Sequence, residues 1–175
     1  MNKQILSDGT LSLRAVEVTD VDTLMTWEND SAQWDTSNTA APYNRKQLWD
    51  YAVNYTGDIT AGSLRLIITE TKSQASVGTV DIYDYNILHN RAFIGMYIAP
   101  EHRNKGYGKR AVEIGLNYAC NYLGLKQVVA EVAAGNTASI ATLTACGFVK
   151  CGQMRNWFRR GRDYADALLM QYIAD

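Results

Sequence analysis

The feature that most constrains this chain is a change of hydrophobic period at Pro100. Ahead of it, Ala92 to Ile98 reads as an apolar strand; beyond it, Val112, Gly115, Leu116, Ala119, Cys120 and Leu123 fall on one helical stripe that Gly124 can close. The junction reads Ile98-Ala99-Pro100-Glu101-His102-Arg103-Asn104-Lys105-Gly106-Tyr107-Gly108-Lys109. A helix start leaves main-chain N–H groups unpaired and carries partial positive charge, so small residues there let several amides close around a phosphate. Gly106 and Gly108 permit that approach, and Arg103, Lys105 and Lys109 add charge. The run is neither the P-loop G-x-x-x-x-G-K-[ST] nor the dinucleotide fingerprint G-x-G-x-x-G. By itself a Gly-x-Gly before a helix is as compatible with an ordinary tight turn as with an anion cradle.

The flanking elements make a mixed α/β sheet covered by helices. Leu11-Ser12-Leu13-Arg14-Ala15 alternates as a half-buried strand does, and Asp20 precedes Val21, Leu24 and Met25 at helical spacing. Asn44 with Gln47 forms a capping-box pattern that predicts a helix burying Leu48, Tyr51, Ala52 and Tyr55 and ending at Gly57-Asp58. Strands are predicted over Leu64 to Glu70, Val77 to Tyr85 and Ala92 to Ile98, as an antiparallel meander. After the long helix come a strand at Gln127 to Val132, a short helix at Asn136 to Cys146 stopped by Gly147, and two strands around Arg159-Arg160-Gly161-Arg162.

Composition removes several function classes. The 175 residues, 47% hydrophobic, suit one core and one domain over 1–175. With 17 Lys plus Arg against 18 Asp plus Glu, no long-range field calls for nucleic acid or an anionic membrane. The first residues lack a signal-like apolar run and no stretch reaches the ~20 apolar residues of a membrane helix, so a cytoplasmic protein is expected. Cys120, Cys146 and Cys151 have neither disulfide-scaffold nor zinc-site spacing and read as buried thiols.

Arg103 to Gly108 has the form R-x-x-G-x-G, and in that setting, after a strand and Pro100, it resembles the pyrophosphate-binding motif of the GNAT superfamily of N-acetyltransferases. Asn136, Ser139, Gly147 and Phe148 resemble that superfamily's N-x-x-[S/A] segment with its G-F ending, which lines the pantetheine arm. Arg14, Trp27-Glu28-Asn29-Asp30 with Trp34, and the Trp157 to Arg162 turn followed by Tyr164 and Asp166 are similar to the branch of ribosomal-protein N-terminal and spermidine acetyltransferases. The resemblance implies a mostly antiparallel sheet of about seven strands with about four helices, splayed after Ile98. It also implies acetyl-CoA as co-substrate, held by the main chain of Met96, Tyr97 and Ile98, by Arg103, Asn104, Lys105, Gly106, Tyr107, Gly108 and Lys109, and by Asn136 with Ser139. In that scheme the Ile98 N–H meets the acetyl carbonyl, and a fixed donor at a developing oxyanion is worth ~2.7–4 kcal/mol. The acceptor is a primary amine, either a polyamine such as spermidine or a protein N-terminus, attacking directly in a ternary complex. Glu28, Trp34 and Asp35 mark the acceptor cleft, where carboxylates and tryptophan suit a cation.

Two departures leave the proton transfers open. An alkylammonium of pKa near ~10.4 must lose a proton before attack, at a cost of about 4–5 kcal/mol at pH 7. Many relatives place a carboxylate where this chain has Phe93, and Asp81, Asp84 and Glu131 are the remaining candidates. A tyrosine that protonates the leaving thiolate in close relatives is here Leu143, so the general acid is unassigned too. Cys146 has no nearby histidine to make it a nucleophile, and His102 and His89 read as loop residues. Arg155, Arg159, Arg160 and Arg162 read as a solvated strand edge. Two other classes stay open at this point, a silent acyl-CoA sensor motivated by Phe93 and Leu143 and an RNA-associated domain motivated by the arginines; self-association into a homo-oligomer is compatible with each.

Overall fold

The computed structural model describes residues 4–34 and 39–175. Its first strand β1 (Leu11–Ala15) is followed by α1 (Val21–Glu28), α2 (Arg45–Val53), and the meander β2 (Ser63–Glu70), β3 (Ser76–Asn86) and β4 (Arg91–Ile98). Then come α3 (Tyr107–Leu116), β5 (Gln127–Ala133), α4 (Thr137–Ala145), β6 (Val149–Arg160) and β7 (Asp163–Ile173). The strands form a seven-stranded sheet in the order β1-β2-β3-β4-β5-β7-β6, antiparallel except for β4 and β5. A parallel pair needs a crossover, and α3 provides it.

Strand alternation sorts the side chains into two faces. Leu64, Leu66, Ile68, Val80, Ile82, Ile94, Ile98, Val128, Ala130 and Val132 pack with α3 residues Ala111, Val112 and Ile114 and with Leu143 and Phe148 into the larger core. The opposite face carries Ile67, over which α1 and α2 lay Val21, Leu24, Trp27, Leu48 and Ala52. Trp27 also meets Tyr97 of β4 at 5.6 Å between ring centroids.

Strand positions agree with the sequence expectation to within one residue at each end, whereas two helices do not. The capping box at Asn44 and Gln47 forms in both directions. However, α2 stops at Val53, because Asn54 takes over its last carbonyls: its backbone N–H reaches Ala52 and Asp50, and its side chain donates to the Asp50 carbonyl at 2.7 Å. Tyr51, within α2, is 39% exposed rather than buried, and Tyr55 lies beyond the helix with its hydroxyl donating to the Arg65 carbonyl. The long stripe is likewise not one α-helix. After Leu116 the chain opens into a π-helical segment, Asn117–Tyr122, in which Tyr118 and Tyr122 stack at 5.3 Å, and Gly124 closes it at φ +72°. Cys151 is exposed and Cys120 half-buried, so only Cys146 of the three matches the expected buried thiol.

The meander tolerates no side chain at Gly78. A Cβ there would lie 2.0 Å from the Tyr97 carbonyl oxygen, a backbone atom that cannot swing away. We expect Gly78→Ala to lower the unfolding free energy by about 3 kcal/mol in urea titrations, because overpacking against main chain has no cheap relaxation.

Asp20 is buried and pairs with the Arg14 guanidinium at 2.7 Å while accepting from the Glu17 N–H at 2.9 Å. Burial alone raises its pKa, but the Arg14 and Glu17 hydrogen bonds outweigh it and hold the carboxyl below its usual range. A depressed folded-state pKa means that its contribution is complete above the unfolded value near ~3.9 and disappears as pH falls below it. Asp20→Asn is expected to cost about 2 kcal/mol at pH 7 and to flatten the acid limb of the stability profile, read by thermal melts from pH 7 to pH 3.

Candidate active site

β4 keeps β5 as a partner for three residues only, from Arg91 opposite Gln127 to Phe93 opposite Val129. The sheet thus parts five residues earlier than the expected point after Ile98. On its other side β4 stays paired with β3 through Ile98, and the Ala99 N–H donates to the Val77 carbonyl at 3.0 Å. Residues along an antiparallel ladder alternate between bonded and non-bonded pairs, so Tyr97 exchanges its hydrogen bonds with Thr79. Met96 and Ile98 point their main-chain groups the other way, into the gap. Of the three residues expected to present main chain there, Tyr97 is the exception: its N–H and C=O belong to the β3 ladder. The Ile98 carbonyl accepts from Arg103 Nε at 2.9 Å, which leaves its N–H facing the opening.

The start of α3 lies against the same gap. Gly106 is its N-cap in the left-handed region at φ +76°, with open space where a Cβ would project. The first helical bond runs from the Arg110 N–H to the Gly106 carbonyl, so Tyr107, Gly108 and Lys109 have no intrahelical acceptor for theirs. A Cβ on Gly108 would sit 3.3 Å from the Met96 thioether, which shows how closely the helix start approaches β4. Tyr107 anchors the turn through its hydroxyl to the Glu70 carboxylate, and its ring stacks on His102 at 6.5 Å. Arg103, expected to add positive charge at the turn, has its side chain engaged on the protein. Besides the Ile98 carbonyl, its guanidinium lies over the Tyr97 ring at 6.0 Å and reaches Gln33 Oε1 at 3.5 Å. On the far wall Asn136 caps α4 by accepting from the Ser139 N–H at 3.1 Å, so its carbonyl oxygen is committed and its amide N–H₂ is the group left to a ligand.

These pieces line one cleft of about 970 Å³, within the range of small-molecule sites. It runs from Asn104, Gly106 and Lys109, past Met96, Ile98, Asn136 and Ser139, to Trp27, Glu28, Trp34, Tyr51, Arg65, Asp81 and Glu131. Leu143 lines it as an apolar residue and Phe93 stacks on Tyr83 at 5.6 Å, so neither supplies a proton. Asp35 lies outside the described residues. Trp34 is fixed by its indole N–H on the Glu28 carbonyl at 2.9 Å.

Charges at this end are sorted by Arg65, a residue the sequence reading did not single out. Its Nε and Nη2 hold Asp81 at 2.6 and 3.2 Å, and its Nη1 meets the Glu28 carboxylate. Burial works against the guanidinium charge, but Asp81 and then Glu28 more than offset it, so the pKa is raised. Its signal in the sequence was a lone arginine amid the apolar run of β2. Glu131, by contrast, accepts from the neutral Trp157 indole at 2.8 Å and is in no ion pair among the described residues. Tyr83 beside it is pushed up to about 12, first by burial and then by Glu131 and Asp81. Asp84 sits at the irregular end of β3, where the register with β4 shifts, at 3.7 Å from Arg91 and away from the cleft.

Comparison with known proteins agrees with this geometry. The acetyltransferase (GNAT) domain family matches residues 10–149. A spermidine N(1)-acetyltransferase of Vibrio cholerae is 29% identical over 120 residues, 68% of this chain and 69% of that protein. An uncharacterised N-acetyltransferase of Bacillus subtilis is 30% identical over 58% of each chain. Among solved structures, the Vibrio cholerae spermidine N-acetyltransferase in complex with CoA and spermine superposes with a TM-score of 0.81 at 22% identity, covering 95% of this chain and 96% of that one. The open backbone between β4 and β5, the amide-rich start of α3 beside it and the match along most of the sequence have one common explanation: the chain belongs to the GNAT superfamily and is an N-acetyltransferase that uses acetyl-CoA.

Proposed function

We propose that this enzyme transfers the acetyl group to a primary alkylamine, with polyamines such as spermidine as the first class of acceptor, by direct attack in a ternary complex. The observation that carries this reading is the parting of β4 from β5, which leaves the Ile98 N–H unpaired midway between an anion-suited helix start and a pocket of carboxylates and aromatic rings. In this reading the diphosphate of acetyl-CoA lies on the amides from Arg103 to Lys109, and the pantetheine runs past Asn136 and Ser139. The Ile98 N–H then donates to the acetyl carbonyl as negative charge develops on its oxygen. Glu28, Trp34 and Asp81 favour a cationic acceptor over a neutral one. A protein N-terminus remains the second acceptor class, since the cleft is open at the Trp34 end.

Glu131 is the proton acceptor in this reading. Asp81 has both oxygens on Arg65 and Glu28 has one, whereas Glu131 is oriented by an uncharged indole and keeps an oxygen for the ammonium, directly or through water. The thiolate leaves without a dedicated acid, which a thiol ionising near ~8.5 tolerates. Cys146 stays outside the chemistry. It is buried, its Sγ approaches the Lys109 carbonyl at 3.6 Å, and burial pushes its thiol up to about 11, so only about one molecule in ten thousand is a thiolate at pH 7. Three free cysteines suit a reducing compartment, and the reading puts the enzyme in the cytoplasm. Among the described residues no helix is long and apolar enough to cross a membrane. Self-association is compatible with the free edge of β6, and a Vibrio cholerae relative forms a dodecamer.

Release of free CoA thiol from acetyl-CoA across a panel of amines and peptides tests the reading. Polyamines are expected to give saturable turnover, and thiol release with peptides alone overturns the acceptor class. Glu131→Gln is expected to lower kcat/KM about 100-fold at pH 7, with the deficit closing as pH approaches the amine's own pKa. A loss that is the same at every pH marks a purely structural role. Cys146→Ala is expected to keep kcat within about twofold, at about 1 kcal/mol in stability, because no acetyl-thioester forms on the protein.

A further inference from the structure

β6 and β7 pair as a hairpin whose register slips twice. The larger slip lies between Met154, opposite Ala167, and Phe158, opposite Ala165, so β6 advances four residues while β7 advances two. Asp166 is the β7 residue inside that stretch, and its side chain closes the irregularity. One oxygen accepts from the Asn156 N–H at 2.9 Å and the other from Gln153 Nε2 at 2.8 Å. Asn156 takes the left-handed conformation at φ +50°, which asparagine adopts more readily than most residues. The consequence falls on the next residue. In an unbroken strand Trp157 and Phe158 would point to opposite faces, but here Phe158 lines the cleft and the Trp157 indole reaches that side too, donating to Glu131 Oε1 at 2.8 Å. Bulges commonly re-aim a side chain in this way. Asp166 is also tied to the strand of Glu131, since its main-chain carbonyl accepts from the Ala134 N–H at 2.9 Å, just past the end of β5.

We propose that Asp166 is a positioning residue for acetyl transfer: it locks the β6 bulge that holds Trp157 on Glu131, and so fixes the carboxylate that receives the ammonium proton. The inference rests on Glu131 as proton acceptor and deepens that reading. Placement is what such a lock supplies. A glutamate side chain turns about several bonds, and a misplacement on the order of 1 Å in a reacting geometry can cost about 100-fold in rate. Trp157 is itself 53% exposed, so packing alone does not fix its ring and the backbone beneath it has to. The lock is suited to the pH of the reaction. The Asn156 and then the Gln153 hydrogen bonds hold the Asp166 carboxyl below its usual range, with Arg155 adding to the hold, so it stays ionised from pH 7 upward. Tyr83, beside Glu131 and pushed up to about 12, stays neutral over the same interval.

The test measures kcat/KM by thiol release, with the amine turned over fastest in the panel, from pH 7 to about pH 10. It compares the intact wild type with Asp166→Ala, Asp166→Asn, Trp157→Phe and Glu131→Gln, and with Asp166→Ala and Trp157→Phe each combined with Glu131→Gln. Asp166→Ala and Trp157→Phe are each expected to lower kcat/KM about tenfold at pH 7, with the deficit closing toward the amine's own pKa as it does for Glu131→Gln. Each adds less than about twofold to Glu131→Gln, because a residue that acts through the carboxylate has nothing left to position. Asp166→Asn keeps an acceptor oxygen for the Asn156 N–H and is expected to recover most of the loss. A loss of equal size at every pH, a full tenfold loss on top of Glu131→Gln, or wild-type kinetics in Asp166→Ala overturns the inference while Glu131→Gln still supports the base. If Asp166→Ala does not fold, Trp157→Phe decides, since the lock acts only through the indole and unchanged kinetics in that variant overturn it. If Glu131→Gln shows no pH-dependent deficit, the proton-acceptor reading itself fails and the inference falls with it.

Discussion

The organisation of this protein depends on one unmade set of hydrogen bonds. A strand inside a sheet normally pairs on both sides, and β4 gives up its β5 partner after Phe93 while keeping β3 to its end. Polar main-chain groups abandoned in this way have to be satisfied by water or by a ligand. Two things hold the opening. β5 is committed along its whole length to β7, and the start of α3 lies so close to Met96 that a Cβ at position 108 would stand 3.3 Å from its thioether. The gap is therefore a consequence of packing on both sides.

Charge is distributed along the cleft in a way that suits the reaction's two substrates. The end near α3 carries helix-terminal amides and Lys109, while the far end holds Glu28, Asp81 and Glu131 against the single guanidinium of Arg65. Between them the lining is largely main chain and apolar side chains. Arg103 ties the two ends together, since it hydrogen-bonds the last residue of β4 and also reaches Gln33 at the edge of the acceptor pocket. It thus holds the geometry of the opening, in addition to any attraction for phosphate.

Much of the fold was legible because local chemistry and tertiary context agree there. The runs of β1 and β5 alternate buried with half-buried residues over most of their length, the Asn44 to Gln47 box needs only its own side chains, and Asn136 caps α4 with the residue that also lines the cleft. Where context intervened, reading failed. Asn54 ended α2 before Tyr55 could join it, through hydrogen bonds that compete with the helix. The apolar period of α3 continues through Leu123, yet the backbone widens into a π-helical segment while Asn117 donates its side-chain amide to the distant Ile5 carbonyl. Periodicity reports which face is buried and is blind to a change from i→i+4 to i→i+5 hydrogen bonding.

The sequence by itself determined the local geometry at the starts of α3 and α4. A glycine-bearing turn ahead of a helix and an asparagine that caps the next one are local devices, and local devices are written in consecutive residues. Tertiary structure alone decided the carboxylate-lined end of the cleft. Arg65, Asp81 and Glu28 come from β2, β3 and α1, and Glu131 is turned toward the cleft by Trp157 from another strand. Which carboxylate is neutralised and which stays available depends on distances between segments far apart in the chain, and only the register of the folded sheet sets those distances.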